Sequence, residues 1–544
     1  MNCIFVCVFN QEKYVDMFYL LLESIFIYGN LDNNTNILVY TSTVFMNMIK
    51  KSSLFNEKIT FEINDNYNDI EKSCKSRLDL FNLSSVSKYE KILYLDTDIL
   101  VKDDINKVFD VCKKDVLYVL EEGSIENKND HHGHTLFGDE IHHYSDKSAF
   151  TSGILLFNNC DKIKHLFSQI VEDIINRPYD FICFDQPYIV YNAFKNNVYD
   201  NKTLKSLVVN NDSNIYSDKV IHHFPGGPGV YQHKITNMTI FLNSIKDSTI
   251  VNNIDKTKLY ISKHLLPIIN DCEELLEGNI FMLHQTTNYS DVFLNKSKNI
   301  SNVVLNKNIK NVMEIGFNAG FSTLLMLFSN PNINITCFDL GEHKYTQLCY
   351  SKIKETFGDR VILIVGDSTQ TLKNVTDIVY DVIHIDGGHT TDVATSDIEN
   401  SYRLSDKGTI LIMDDYDFTN LHKLWDNYIR IYNLKKLNMN IYNSPHHDIK
   451  YIVKKYTNTD IDSYNDTHNI LKNKTYTWEK SFITFLDNYG LNAFGKGNYE
   501  FTEDKYNIMA FFGGRTHYIK MNEDYTSFIS IRKDDFEIVH GKKL

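Results

Sequence analysis

The chain has 544 residues, too many for one hydrophobic core and enough for two or three domains. Hydrophobic residues at 43% and charged residues at 23% exclude a largely disordered chain, and a net charge of −14 without a long Lys/Arg run argues against a general nucleic-acid binder. The 9 cysteines are scattered with no Cys-x-x-Cys pair, so reduced thiols in a cytoplasmic setting are expected, not a disulfide framework or a zinc knot.

The opening apolar run, Ile4 to Phe9, lacks a basic flank and a cleavage site, and it is predicted to be a first β-strand, not a secretion signal. No apolar stretch approaches the ~20 residues of a membrane span, so a soluble protein is expected. Val15 to Tyr28 has helical spacing, Ile37 to Tyr40 reads as a strand, and the alternation continues to about residue 245 in an α/β pattern. Within it, Ile92 to Leu95 is a short β-compatible run that ends in Asp96-Thr97-Asp98. Open α/β folds bind ligands at the carboxyl edge of the sheet, and two carboxylates there offer hard oxygen ligands to Mg²⁺ or Mn²⁺. Alone, an Asp-x-Asp is more often a solvated turn.

Residues 246–308 are polar and weakly periodic, with a helix expected over Leu259 to Leu276, and are read as a connector or the leading arm of the next domain. A second series follows over 309–456. Its strands are predicted at Asn311 to Ile315, Asn334 to Asp339, Val361 to Val365, Tyr380 to Asp386 and Thr409 to Asp414, with helices at Phe321 to Phe328, Lys344 to Phe357 and Asp392 to Leu404. Near-continuous apolar strands alternating with helices imply a parallel, doubly wound sheet. Leu437 to Tyr442 and Ile449 to Val453 are expected as an antiparallel edge pair, and a polar linker, Thr457 to Asn473, leads to short alternating strands in 474–544, a small antiparallel β unit. That unit is read as a packing module, with glycan binding through Trp478 and Phe511-Phe512-Gly513-Gly514, or homodimer formation, as alternatives.

Four ordered motifs in residues 1–245 resemble glycosyltransferase family 8, the glycogenin and bacterial galactosyltransferase group. They are Leu95-Asp96-Thr97-Asp98-Ile99-Leu100-Val101, Phe150-Thr151-Ser152-Gly153-Ile154-Leu155, Phe184-Asp185-Gln186-Pro187 and Val220-Ile221-His222-His223-Phe224-Pro225-Gly226. Thr151 stands where the family usually has Asn, and the Lys-Pro-Trp that follows its glycine loop is missing. The resemblance implies a GT-A-type nucleotide-sugar domain and retaining transfer from a UDP-sugar to a glycan or glycoprotein acceptor. Asp96, Asp98 and His223 would be the metal ligands, with His222 as the alternative histidine. Asp185 and Gln186 would lie beneath the anomeric carbon, Arg77 would touch the donor, and Lys234 would replace the missing phosphate-binding lysine. Tyr14 stacks on a uracil or fills the core. A cation would neutralise the diphosphate leaving group, and Gly226, Gly227 and Gly229 would let backbone approach it.

In the second series, Glu314-Ile315-Gly316-Phe317-Asn318-Ala319-Gly320 joins a strand to a helix without the Gly-x-Gly-x-x-Gly of a dinucleotide site, which favours S-adenosylmethionine over NAD. Asp339 closes the second strand, where a carboxylate can take ribose hydroxyls, and Asp367 and Ser368 follow the third, at the height of an adenine. Residues 311–454 resemble Rossmann-like class I methyltransferases, specifically the metal-dependent O-methyltransferases of catechols and macrolide sugars. Ile385-Asp386-Gly387-Gly388-His389 and Met413-Asp414-Asp415-Tyr416 carry that likeness. Asp386, Asp414 and Asp415 would converge on Mg²⁺, with His389 as general base. The plainer reading has Asp386 and Asp414 capping helices, and His446 and His447 are expected to face solvent. The combination resembles glycan-building enzymes of large DNA viruses, which would place it in a host cytoplasm. The alternatives are methylation of a non-sugar acceptor, and a non-catalytic glycan or nucleotide-sugar binder.

Overall fold

The computed structural model describes residues 1–126, 130–227, 229–453, 467–478, 481–486, 489–493, 495–501, 506–532 and 538–544. Pro228 of the glycine loop, the expected domain end at 454–456 and residues 457–466 of the polar linker lie outside the described residues.

The first strands are β1 (Asn2–Val8), β2 (Thr35–Thr41), β3 (Ile59–Ile63), β4 (Lys91–Leu95), β5 (Ile99–Val101), β6 (Leu117–Ser124), β7 (Ser148–Asn158), β8 (Tyr199–Asp200), β9 (Val208–Asn210) and β10 (Ile221–His223). They form a 7-stranded sheet of order β3-β2-β1-β4-β7-β6-β8 and a small β5-β10-β9 sheet. β1 to β4 are parallel, while β7 runs antiparallel to β4 and β6. The apolar run of β1 serves two cores. Cys3 and Phe5 face the layer containing Tyr94 and Phe157, and Ile4, Val6 and Val8 face the layer containing Phe18 and Leu22 of the helix Glu12–Tyr28. Burial on both faces is why the strand shows no polar alternation.

The stretch expected to be a weakly periodic connector is mostly helical. A helix, Tyr231–Tyr260, runs unbroken across residue 245 and continues through a π turn, Ile261–Leu265, into Leu266–Asp271. Its buried stripe includes Lys246, Asn253 and Thr257, polar residues that mask the apolar period in the sequence. Met238, Phe241, Leu242 and Ile245 pack on Met17 and Phe224, whereas Ile250 and Ile254 join the core around Val312. One helix therefore contributes to the cores of both halves. Lys246 and Glu23, 1% and 5% exposed, pair where it crosses Glu12–Tyr28. Reciprocal contacts between Ser53 and Asn438, at 3.2 and 3.0 Å, add to the junction.

The next strands are β11 (Asn311–Ile315), β12 (Asn334–Asp339), β13 (Val361–Val365), β14 (Tyr380–Ile385), β15 (Ser405–Met413) and β16 (Asp448–Tyr451), in the order β13-β12-β11-β14-β15-β16. All pairings are parallel except that of β16 on β15. Leu437 to Tyr442, expected as a partner for this edge strand, forms no strand. The Asn299 and Asn302 side-chain amides donate to the carbonyls of Tyr442 and Asn440, at 2.9 and 2.8 Å, so side chains satisfy this backbone in place of a ladder.

The C-terminal unit, expected as a small antiparallel β unit, is a single 8-stranded sheet among the described residues. Its 8 antiparallel strands follow chain order. The first meets the last through Leu544 N to Thr475 O at 3.0 Å and a Tyr476–Lys543 bridge, closing a barrel. Trp478 is 3% exposed among Phe512, His517 and Phe528, which removes it as a glycan-binding surface. Among the described residues no helix is long and apolar enough to cross a membrane.

The buried pair at the junction yields a stability test. Glu23→Ala, which strands the Lys246 ammonium, is expected to cost about 3–5 kcal/mol in urea unfolding, and the Glu23→Met/Lys246→Met double variant much less. Equal losses in both would refute the assignment of the cost to unpaired charge.

Candidate active sites

The first site lies at the carboxyl ends of β1 and β4. The turn after β4 is tied to β7 by Asp96 N donating to Gly153 O at 2.9 Å, and β10 pairs antiparallel with β5 so that His223 lies opposite Ile99. Ligand atoms of Asp96, Asp98 and His223 thereby lie within 4.8 Å of one another. His223 Nδ1 donates to Asn210 Oδ1 at 2.8 Å, which makes Nε2, 3.4 Å from Asp98 Oδ1, the nitrogen that faces the carboxylates. Asp98 Oδ1 is buried without a hydrogen-bond partner, so the set fits a cation. His222 points elsewhere: its Nδ1 donates to Asp212 O at 3.1 Å and its ring lies against Phe241. Burial opposes charge on both Asp98 and His223, but Lys234 and His223 hold the Asp98 carboxyl well below its usual range, while Asp98 and Asp96 hold the His223 imidazole above its own.

Several expected contacts with a donor are already taken. Arg77 is 6% exposed; its Nε and Nη2 donate to the two oxygens of Asp185 at 2.8 and 3.0 Å, and Nη1 donates to Ser152 O at 2.7 Å. Asp185 is 0% exposed and does not line the cavity, a correction to its expected place beneath a sugar; its carboxylate anchors Arg77 instead. Gln186 does line the cavity, with Oε1 accepting from Ser152 N at 2.9 Å and Nε2 donating to His131 O at 3.0 Å. Lys234 Nζ lies 2.6 Å from Asp98 Oδ2, at the metal triad. Tyr14 borders the cavity edge-on to Tyr231.

The cavity measures about 420 Å³ and includes residues that no motif flagged: Glu122, His131 and His132. Burial pushes the Glu122 carboxyl up and the His132 imidazole down to about 4, so His132 is neutral. Acidic residues ending β6 were the available signal for Glu122, although Glu121-Glu122 also reads as a solvated strand end.

The second site lies at the carboxyl edge of β11, β14 and β15. Gly316 has φ +95°, and a Cβ there would meet Asp386 O at 1.9 Å, so the turn after β11 requires glycine. Gly320, at φ +76°, opens the helix Phe321–Ser329 with Phe317 and Ile353 packed against it. Asp339 Oδ2 accepts Phe317 N and Asn318 N at 2.9 and 2.7 Å, fixing the turn to β12. Asp367 caps the short helix after β13 by accepting Thr369 N at 2.8 Å, with Ser368 beside it. Glu314 is 0% exposed, bonded to Thr323 and to His384 Nδ1, the latter at 3.0 Å; contrary to expectation it faces the sheet interior, not a cofactor.

Ligand atoms of Asp386, Asp414 and Asp415 lie within 4.8 Å of one another, a set that fits a hard cation. His389 Nε2 is 2.7 Å from Asp415 Oδ2, a bond that raises the imidazole's pKa above its usual value. Sequence reasoning missed three buried neighbours of Asp414. Lys296 Nζ lies 2.6 Å from its Oδ2, His384 Nε2 3.2 Å and His447 Nε2 3.4 Å. Burial would lower His384, but hydrogen bonds to Asp414 and Glu314 outweigh it and push it up to about 10. His447, expected in solvent, is 7% exposed just before β16, while His446 pairs with Asp417 at 3.1 Å.

Residues 31–202 match the family model Glycosyl transferase family 8, and residues 313–416 match a model described as Methyltransferase domain. No curated protein matches the chain. Similar solved structures include the apo WbbM bifunctional glycosyltransferase, at 15% identity over 45% of this chain and 51% of that one with a TM-score of 0.32. Others are mouse xyloside xylosyltransferase 1 in its apo form (12% identity, 41% and 98% covered, TM-score 0.32) and an active-site mutant of LgtC (14% identity, 45% and 96% covered, TM-score 0.32). The chain spans about half the length of WbbM. One polypeptide thus carries a glycosyl transferase family 8 domain followed by a methyltransferase domain.

Proposed function

We propose that the chain builds and then decorates a glycan, transferring a sugar from a UDP-sugar with retention at the first site and O-methylating a sugar hydroxyl at the second. The observation that carries this reading is a pair of separate acidic clusters, each at the carboxyl edge of its own sheet. The boundaries that suit it are 1–245 for the transferase, 246–308 for the connecting arm, 309–456 for the methyltransferase and 474–544 for the barrel.

In the first site Asp96, Asp98 and His223 would hold Mn²⁺ or Mg²⁺, whose charge offsets that of the diphosphate leaving group. Asn210 orients His223, and Gly226 packs on the Lys234 stem, where a Cβ would lie 3.1 Å from Cε, so the loop backbone and the lysine approach together. Tyr14 offers a ring face for the uracil. With Asp185 closed off by Arg77, Gln186 and Glu122 are the wall residues that meet the sugar.

In the second site Asp386, Asp414 and Asp415 would hold Mg²⁺, which lowers the pKa of a bound hydroxyl, and S-adenosylmethionine supplies the methyl group. The Gly316–Gly320 turn, Asp339, Asp367 and Ser368 bind and orient that donor. His389 keeps Nε2–H on Asp415, so its Nδ1 takes the acceptor's proton.

Three outcomes test these roles. Asp98→Ala should abolish sugar transfer and spare methylation, and Asp386→Ala the reverse, by mass spectrometry of products from a UDP-sugar panel with Mn²⁺, with and without S-adenosylmethionine; loss of both activities in either folded variant would sink the separate-site reading. Gly153→Ala places a Cβ 2.9 Å from His223 Nε2 and 3.0 Å from Asp96 Oδ2. It should weaken Mn²⁺ binding at the first site about tenfold or more, read by electron paramagnetic resonance, with the second site unaffected. Because Asp98 and Asp96 raise the His223 pKa, the ring keeps its proton to a higher pH than usual, and a cation needs that nitrogen bare. Mn²⁺ affinity at the first site should therefore climb as pH rises through that raised value, and a flat profile would remove His223 from the ligand set.

A further inference from the structure

The carboxylate cluster of the second site receives a basic side chain from outside its β/α series. Lys296 is on the helix Leu294–Val304, which precedes β11 and buries polar residues along most of its length. Its Nζ lies 2.6 Å from Asp414 Oδ2, and the two side chains are 7% and 0% exposed. His384 and His447 face the same oxygen at 3.2 and 3.4 Å, and the other, Oδ1, accepts Asp415 N at 2.7 Å. Asp414 therefore reaches Asp386 and Asp415 with both oxygens engaged. An ammonium buried at this distance neutralises the carboxylate and repels any second cation that approaches the same oxygens.

Resting on the metal-site reading above, we infer that Lys296 is a resident counter-cation of the Asp386–Asp414–Asp415 cluster, which a divalent ion must displace from Asp414 before the three carboxylates close around it. The lysine offsets the charge of Asp414 in the ion-free cluster, and it weakens the site for divalent metal. It is a positioning residue. Its ammonium is buried with the Asp414 carboxylate, and the contact at 2.6 Å is what a metal ion would have to break.

The test uses the full chain carrying Asp98→Ala, which silences the first site. Lysines are reductively methylated with formaldehyde, with and without saturating Mn²⁺, and modification of Lys296 is read by peptide mass spectrometry. Lys296 is expected to be protected without metal and to be labelled severalfold faster with it. In the same background Lys296→Met should bind Mn²⁺ about tenfold more tightly by electron paramagnetic resonance, whereas Lys296→Arg should stay near the parent. If Lys296→Met fails to fold, the labelling of the native lysine decides. Mn²⁺ bound with Lys296 still protected, or a folded Lys296→Met with unchanged affinity, overturns the inference and leaves the metal site standing. Absence of any Mn²⁺ binding at the second site overturns both.

Discussion

A carboxylate taken out of water must find a cation or give up its charge, and four of this chain's buried acids find one. Glu23 meets Lys246 at the junction of the halves, Asp185 meets Arg77, Asp98 meets Lys234, and Asp414 meets Lys296 and His384. All four carboxylates are 5% exposed or less. An unpaired ion in such surroundings costs several kcal/mol, so the pairings bind distant segments into one arrangement.

The same pairings sort the carboxylates by what remains open to a ligand. Asp185 gives both oxygens to one guanidinium and is closed. Asp98 gives one oxygen to Lys234 and keeps the other unpartnered beside His223 Nε2, so it stays available. At the second edge Glu314 is consumed beneath the sheet in holding His384, which in turn touches Asp414. A row of buried acid and imidazole thus runs from β11 through β14 to β15 and fixes the carboxylate that reaches the cluster. The supporting residues are as much a part of each site as the groups that line it.

Both sites also depend on close backbone packing. Gly316 leaves room for the carbonyl of Asp386, and Gly153 leaves room for the ring of His223. At the second site two neighbouring parallel strands, β11 and β14, end side by side, whereas at the first Gly153 lies within the antiparallel strand β7; both arrangements bring residues far apart in sequence to one edge.

The strands of the second sheet were legible nearly residue by residue: a strand buried on both faces writes a continuous apolar run, as Ile410 to Met413 do, and the edge strand Val361–Val365 is equally apolar although its Ile362 and Val365 are exposed. The Asp-Thr-Asp turn and the Asp386, Asp414 and Asp415 cluster were legible for a related reason: acidic residues that directly follow such runs must sit at a sheet edge. The helix Tyr231–Tyr260 was not, since Lys246 and Asn253 interrupt its buried stripe and their burial makes sense only beside their neighbours. Closure of the C-terminal barrel rests on contacts between Thr475 and Leu544, which local periodicity does not record. Sequence alone determined the apolar strands at the centre of both doubly wound sheets and where acids end them, because those are local consequences of burial and chain geometry, whereas the edge at Leu437 to Tyr442 was not fixed locally. Only the tertiary structure decided which acids are free and which are spent, because Arg77, Lys234 and Lys296 come from elements remote in sequence, and a charge takes its role from what lies within a few ångströms of it.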